Sequence, residues 1–388
     1  MIRRDPARRT RSMTQPDAIP APPGGVGRLR LYYERNERRI AVVAFVAGFL
    51  FDILTFERVD SWLAIAQQVA YLAVITVALA QMSLEQGGPP RALERVFVVW
   101  RWYFRYRTAI IHFLFGSLLN LYTIYFFKSS SLFVSFSFMA CLALLVVANE
   151  SRRFKALGLS FKFAMLSLCV LSFFAHVVPI FVGAIGVWVF LFSMLVGALP
   201  LIGLGWGIRA FVPDRFQGAR RQILVPAGVV LLGFLALYLL KVIPPVPLSI
   251  PFIGVYHQVE RTEAGYRLSH ERPFWRFWHN GDQEFRAQAG DRVYVFFRVF
   301  SPTRFADQVL VRWYWKDGAR GWSVQDSIPI NIVGGREQGF RGYGWKSNYQ
   351  PGSWRVQVET TDGREIGRVY FQLEIVPAAP RNFVVEVQ

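Results

Sequence analysis

Seven apolar stretches separated by short charged loops constrain this chain more than any other feature. They lie at residues 40–56, 62–83, 108–127, 131–149, 160–180, 183–208 and 222–243. A helix that crosses a bilayer needs about 20 mostly apolar residues. The connecting segments alternate in charge. Through Arg39 the chain holds 10 Lys and Arg, and the loops at 84–107, 150–159 and 209–221 bring that side to 22. The opposite loops hold only Arg58 and Lys128. Positive loops stay cytoplasmic, so seven spans place the N-terminus inside and everything after residue 243 outside. A count wrong by one would break the alternation. The first stretch is expected to be an uncleaved helix, because 39 residues precede it and no small-residue cleavage site follows Phe51.

The formal charge of +18 is unevenly spread. Residues 1–249 carry 26 basic against 11 acidic side chains, and residues 250–388 carry 18 against 15. The excess sits in loops between apolar runs, the pattern of contact with anionic lipid at a cytoplasmic membrane face. It is not a continuous basic face for nucleic acid, and no nucleic-acid partner is expected. Residues 1–39 mix Arg with Pro and Gly and read as a disordered basic tail. Residues 91–107 read as an interfacial amphipathic helix leading into the third span. Pro200 is expected to kink or end the sixth span. Cys141 and Cys169 lie inside apolar runs and read as packing residues rather than a disulfide or metal site.

No charged residue falls clearly at a span midpoint, which disfavours an ion-coupled transporter. Asp52, Asn120 and His176 could together form a polar cluster facing an outer-leaflet cavity. The favoured reading is that Asp52, like Glu150, snorkels or pairs locally.

Residues 244–252 are a proline-rich linker, expected to be extended and stiff and to hold the following domain close to the membrane. From residue 253 to 388 the hydrophobic period changes to two. Val293, Val295, Phe297 and Val299 share one face; so do Val309, Val311, Trp313 and Trp315; so do Trp354, Val356 and Val358; and so do Val369, Phe371, Leu373 and Ile375. Turn residues separate these runs, and Asp362-Gly363 is a strong hairpin signal. The expected fold is therefore a seven-helix membrane bundle followed by an immunoglobulin-like β-sandwich.

Residues 334–348, GGREQGFRGYGWKSN, interrupt the alternation. Arg336, Arg341 and Lys346 interleave there with Tyr343 and Trp345, and five glycines allow close backbone approach. Such a segment is either a ligand or partner surface or a bulged edge strand. The chain lacks HExxH, GxSxG, CxxC and P-loop patterns. His257, His270 and His279 lack metal-ligand spacing and read as surface or turn histidines. No metal, cofactor or catalytic residue is expected.

Several phrases resemble a known family. They are GFLFDILTFERVD at 48–60, FGSLLNLYTIYFFKSSS at 115–131 and VVANE at 146–150, followed by GVYHQVER at 254–261, FFRVFSP at 296–302, VRWYW at 311–315 and the run from 334 to 368. The family comprises bacterial multi-span membrane proteins whose C-terminal module is a domain of unknown function. The resemblance implies a bacterial inner-membrane protein with a periplasmic module, and it brings no activity and no catalytic residues. The expected role is binding: the outer domain would engage an envelope glycan, a lipid headgroup or a protein through residues 334–348. The alternatives are an enzyme acting on a lipid-linked substrate at the outer leaflet and, third, a transporter.

Overall fold

The computed structural model describes residues 61–85, 98–129, 158–211 and 216–388, apart from 264, 277, 302–305 and 334–338, with isolated positions at 140, 141 and 144. The basic tail, the span expected at 40–56, nearly all of that at 131–149 and the start of the interfacial segment lie outside the described residues.

Among the described residues five helices are long and apolar enough to cross a membrane. They are α1 (Trp62–Glu85), α2 (Val98–Lys128), α3 (Leu159–Val182), α4 (Val187–Phe211) and α5 (Phe216–Leu239). Helix α3 is the hub and packs against the other four. Its buried side chains run nearly all the way round, from Leu159 to Pro179, as in a helix surrounded by helices. By contrast α4 exposes Trp188, Leu195, Leu199 and Trp206, and α5 exposes Val225, Val229 and Leu232. A soluble protein rarely leaves so large an apolar surface bare; hydrocarbon accepts it. Pro200 does not end its helix, because α4 continues to Phe211. The described part of the interfacial segment is the start of α2 itself, one helix of 31 residues. Cys169 is buried in α3 as expected, whereas Cys141 is exposed.

The helix ends fix the direction of the bundle. Arg107 of α2 makes a two-pronged bond to Glu85 at the end of α1, both contacts at 2.8 Å. Tyr103 donates to Gln81 at 2.8 Å. Those ends point away from the β domain. At the other end Trp62 meets Phe181 at 5.6 Å, and Phe126 of α2 lines a small cavity with Pro179, Ile185 and Val246. Lys128 and Leu159 therefore lie at opposite ends of the bundle.

The β part has eleven strands among the described residues, numbered β1–β11 from Ser249–Tyr256 to Val384–Val387. Three form one antiparallel sheet, β1-β5-β8. Five form a larger one, β4-β10-β9-β6-β7, in which only β4 runs parallel to its neighbour β10. These two sheets enclose the main core of Val295, Phe297, Trp313, Trp354, Val356 and Leu373, each at most 1% exposed. The alternating sets named above supply most of it, with one correction: Ile375 at the end of β10 is 59% exposed. The third sheet, β11-β3-β2, covers the outer face of the first. Phe252, Tyr256, Phe296 and Leu268 fill that second interface. Strand β5 is thus buried on both faces, so its sequence VYVFFRVF carries Phe296 opposite Phe297. The domain is a sandwich with a third small layer.

The linker also differs from expectation. Residues 243–248 are buried and form tight turns around a cis Val246-Pro247 bond, rather than an extended rod. Its four prolines within nine residues fit that compact path as well as an extended one.

Candidate functional site

The helices and the β domain meet at a defined junction. The β9–β10 hairpin (Gly352–Thr360 and Glu365–Ile375) turns at Gly363, whose φ of 78° suits glycine. It brings Arg364 onto the end of α5. The Arg364 guanidinium lies 3.4 Å from the Tyr238 ring centroid. It donates to the backbone oxygens of Tyr238 at 2.9 Å and Ile243 at 3.3 Å, and to Asp362 at 2.8 Å. These carbonyls are left over at a helix end, where a cation is favourable. Phe190 of α4 stacks on the other side of Tyr238 at 3.7 Å. The α3–α4 turn adds Gly183, whose carbonyl accepts from Ala306 N–H at 3.3 Å. The contacts account for this surface fully, as a joint rather than a ligand site.

The segment 334–348 resolves into two roles, with Arg336 outside the described residues. Strand β8 (Phe340–Lys346) is the edge of the first sheet. Arg341, Tyr343 and Trp345 face the third sheet and solvent; Tyr266 lies 6.0 Å from Tyr343, and Arg292 stacks 4.4 Å from the Trp345 ring. Lys346 points the other way. It is buried, paired with Asp326 of β7 (Gly321–Val333) and 5.8 Å from the Trp354 ring. The structure therefore does not bring Lys346 onto one face with Arg341, Tyr343 and Trp345. The glycines answer to packing: a Cβ on Gly342 would sit 2.8 Å from the Phe297 ring, whereas one on Gly344 would meet nothing closer than 3.6 Å. Gly342→Ala is therefore expected to cost roughly 1–3 kcal/mol by overpacking. Gly344→Ala should be neutral or slightly stabilising, since glycine weakens a strand interior by about 0.5–1 kcal/mol. Paired thermal unfolding curves check this; equal effects would undo the packing account.

Of the polar residues expected among the helices, Asp52 lies outside the described residues. His176 is buried in α3, with Nδ1 2.7 Å from Ser172 O and Nε2 3.1 Å from Gln68 Oε1. Tyr122 and Tyr125 of α2 lie 5.4 and 5.1 Å from its ring. Asn120 is on the same helix as those tyrosines. His176 thus joins Gln68 and an aromatic wall inside the bundle.

A groove of about 590 Å³ lies on the β domain. Its aromatic walls are Trp278, from the loop between β3 (Gly265–His270) and β4 (Glu284–Ala287), Trp322 of β7 and Tyr370 of β10. Trp278 is 61% exposed and Tyr370 is 40% exposed. Trp322 and Tyr370 are tilted neighbours at 5.8 Å, and Arg355 lies 4.9 Å from the Trp322 ring. Ser353 donates to Gln372 Oε1 at 2.8 Å, which holds that amide in the groove wall. Arg368 is held by Glu365 and by the Tyr370 hydroxyl, at 2.7 Å from the latter. Lys316 lines the same groove without an acidic partner among the described residues. The arrangement combines apolar ring faces with hydrogen-bonding amides and hydroxyls around one concave surface.

Sequence reasoning missed this groove because its residues come from five separate segments, around 253, 278–283, 316–322, 353–354 and 368–372. The available signal was Trp278 and Trp322 falling outside every alternating set. It also misread two histidines. His257 and His270 are buried, with side chains 4% and 3% exposed, and only His279 is exposed. No group of three or more metal-binding side chains occurs among the described residues.

Fold and groove together define a class: an apolar helical base carrying a layered β module with an aromatic-lined concave surface. Residues 306–373 match the family described as protein of unknown function, DUF2914. That stretch runs from the start of β6 (Ala306–Asp317) to Leu373 of β10. It contains Trp322, Ser353, Tyr370 and Gln372 but not Trp278. No curated protein matches the sequence. Among solved structures, the chain is similar to an immunoglobulin-like protein from Pseudomonas aeruginosa at 10% identity, covering 33% of this chain and 98% of that one with a TM-score of 0.21. It is similar to a β-glucosidase from Listeria innocua in complex with glucose at 12% identity, covering 24% and 15% with a TM-score of 0.17. The alkylpurine DNA glycosylase AlkC of Pseudomonas fluorescens, bound to DNA containing an abasic site analogue, shares 12% identity over 70% and 72% with a TM-score of 0.20. The sandwich assignment rests on the strand pairing alone.

Proposed function

We propose that this chain is a bacterial inner-membrane protein that presents a periplasmic recognition module, and that the module binds an envelope glycan in the Trp278–Trp322–Tyr370 groove. The groove carries the reading. A pyranose ring offers flat C–H faces that pack on aromatic rings and an equatorial fringe of hydroxyls that pair with amides. Trp278, Trp322 and Tyr370 supply the first surface, and Gln372, Asn280 and Ser353 the second.

The topology belongs to the same proposal: seven spans, N-terminus cytoplasmic, C-terminal domain outside. Two observations support it beyond the loop charges. Lys128 and Leu159 lie at opposite ends of the bundle, which requires an odd number of crossings between them. Helix α1 begins at the β-domain end, so one further span before it leaves the basic N-terminus on the far side. Single-cysteine labelling at residues 20 and 280 in intact cells checks both ends; labelling of the two from the same side would contradict seven spans.

The binding test uses the full chain in nanodiscs and a panel of β1,4-linked glucose and N-acetylglucosamine hexasaccharides. Removing one aromatic platform should weaken binding at least about tenfold, the equivalent of 1.4 kcal/mol. The variants are Trp278→Ala and Trp322→Ala, with Trp345→Ala on β8 as the control expected to bind normally. Weakening by Trp345→Ala alone would move the site to residues 334–348.

A further inference from the structure

Behind the groove lies a buried constellation that the binding surface does not use. His257 stacks on Phe285 at 4.0 Å, and its Nε2 lies 3.5 Å from Glu271 Oε2 and 3.6 Å from Asp282 Oδ2. None of these three atoms has a hydrogen-bond partner, and the Asp282 side chain is 1% exposed. The Arg381 guanidinium, itself held by Asp291 at 2.6 Å, lies 3.2 Å from His257 Nδ1. Arginine can only donate. Nδ1 therefore accepts, and the imidazole proton sits on Nε2, aimed between the two carboxyl groups.

Asp282 also closes the groove's aromatic loop. Its Oδ1 accepts from the Glu271 backbone N–H at 2.9 Å, and its own N–H donates to Val255 O at 2.8 Å. Gly281 is pressed against β1 so closely that a Cβ would fall 2.1 Å from Val255 O. The segment between these fastenings holds Trp275 and Trp278, both exposed, and it continues into Asn280 and Gln283 of the groove wall. The Gln283 Oε1 atom is buried there without a partner. One buried carboxyl group thus ties both ends of the loop that carries a groove platform.

We propose that Asp282 is the positioning residue of the groove, and that its protonated form holds the 271–282 loop, and with it Trp278, in the ligand-binding arrangement. The binding part of this inference rests on the glycan reading above; the loop part does not. With Asp282 neutral, the buried space contains a neutral imidazole, one acid and the Glu271 carboxylate. With Asp282 ionised, two carboxylates face a single N–H while the Asp282 side chain is only 1% exposed, which is unfavourable. The other groups facing the constellation do not remove this conflict. Arg272, beside Glu271, attracts the Asp282 charge only in part. Arg381 is committed to Asp291 and His257. On the far side Tyr256 of β1 is a buried phenol, and His270 of β3 faces Glu386 of β11 (Val384–Val387) at 3.8 Å. Burial, with the Glu271 charge behind it, lifts the Asp282 carboxyl to about 7 against the pull of its backbone donors. Burial and the Arg381 charge lower His257 to about 4, and burial lowers His270 as well. His257 therefore stays neutral between pH 6 and 8. Because the folded-state value for Asp282 is raised, its contribution is present at low pH and is lost as pH rises through about 7.

The test compares wild type with Asp282→Asn, which keeps the Oδ1 acceptor and is neutral at every pH. The full chain in nanodiscs is followed by hydrogen exchange of residues 271–282, with both proteins at matched pH. Relative to Asp282→Asn, wild-type exchange should rise about tenfold from pH 6 to pH 8, as the protonated fraction falls by about that factor. Affinity for the hexasaccharide probe should fall in parallel in wild type and stay flat in Asp282→Asn. A constant exchange ratio across the two pH values overturns the proposal. A loop that switches while no saccharide binds overturns the glycan reading and upholds the switch.

Discussion

Replacing Arg364 with alanine is expected to loosen the attachment of the β domain to the helices by roughly 3–5 kcal/mol, the usual cost of stranding one half of a buried charged pair. The side chain is only 6% exposed and serves four partners at once. Its removal leaves Asp362 without its cation, the Tyr238 and Ile243 carbonyls without donors, and one face of the Tyr238 ring bare. Arg364→Lys keeps the charge but not the planar fork, so it should recover only part of the loss. The readout is protease cleavage of residues 240–249 in the full chain held in nanodiscs. Wild type should resist, because residues 243–248 are buried. The alanine variant should be cut while the β domain itself stays folded. Equal resistance in both would mean that the joint does not depend on this residue.

Trp354→Ala should have a comparable effect inside the sandwich, roughly 3–5 kcal/mol. Trp354 is 1% exposed and its Nε1 donates to Gln350 O at 2.9 Å. It stacks with Phe371 at 6.4 Å and lies beside Lys346. The substitution therefore opens a cavity, orphans a carbonyl and removes a ring from beside a buried cation. Denaturant unfolding followed by tryptophan fluorescence measures it. Trp275→Ala, at a 51% exposed position, should be nearly silent in the same experiment. A small effect at Trp354 would show that the core described here is not the cooperative one.

The parts of the fold that were readable in advance are those where one local signal fixes the outcome. Strands β6 and β10 alternate because one face of each meets the core and the other is more open, and β9 alternates in sequence although its polar Gln357 and Glu359 are buried as well. The β9–β10 hairpin followed from Asp362-Gly363. The third sheet gave no such signal. β2, β3 and β11 are short: in QVERT only Val259 is buried, against β1 and β5, and VVEV of β11 stays largely exposed. The one clue was Phe296, an apolar residue on what a two-layer sandwich would leave as the wet face. Strand β7 was obscured by Pro329, which its position at the sheet edge accommodates.

The same physics separates the two candidate sites. Residues 334–348 stood out because composition within one segment is visible in sequence. The structure assigns Gly342 to Phe297 and Lys346 to Asp326, both structural duties. The groove and the His257–Asp282 constellation are assembled across long separations. Asp282 is brought to His257 only by the bridge between Val255 and Gly281. No spacing rule encodes such a meeting.

The most direct test of a membrane-held module with a glycan groove is a hydrogen-exchange footprint of the full chain with and without a bound hexasaccharide. Protection is predicted at residues 278–283 and 368–372, with residues 341–346 unchanged. Protection confined to 341–346, or none at saturating saccharide, would contradict it.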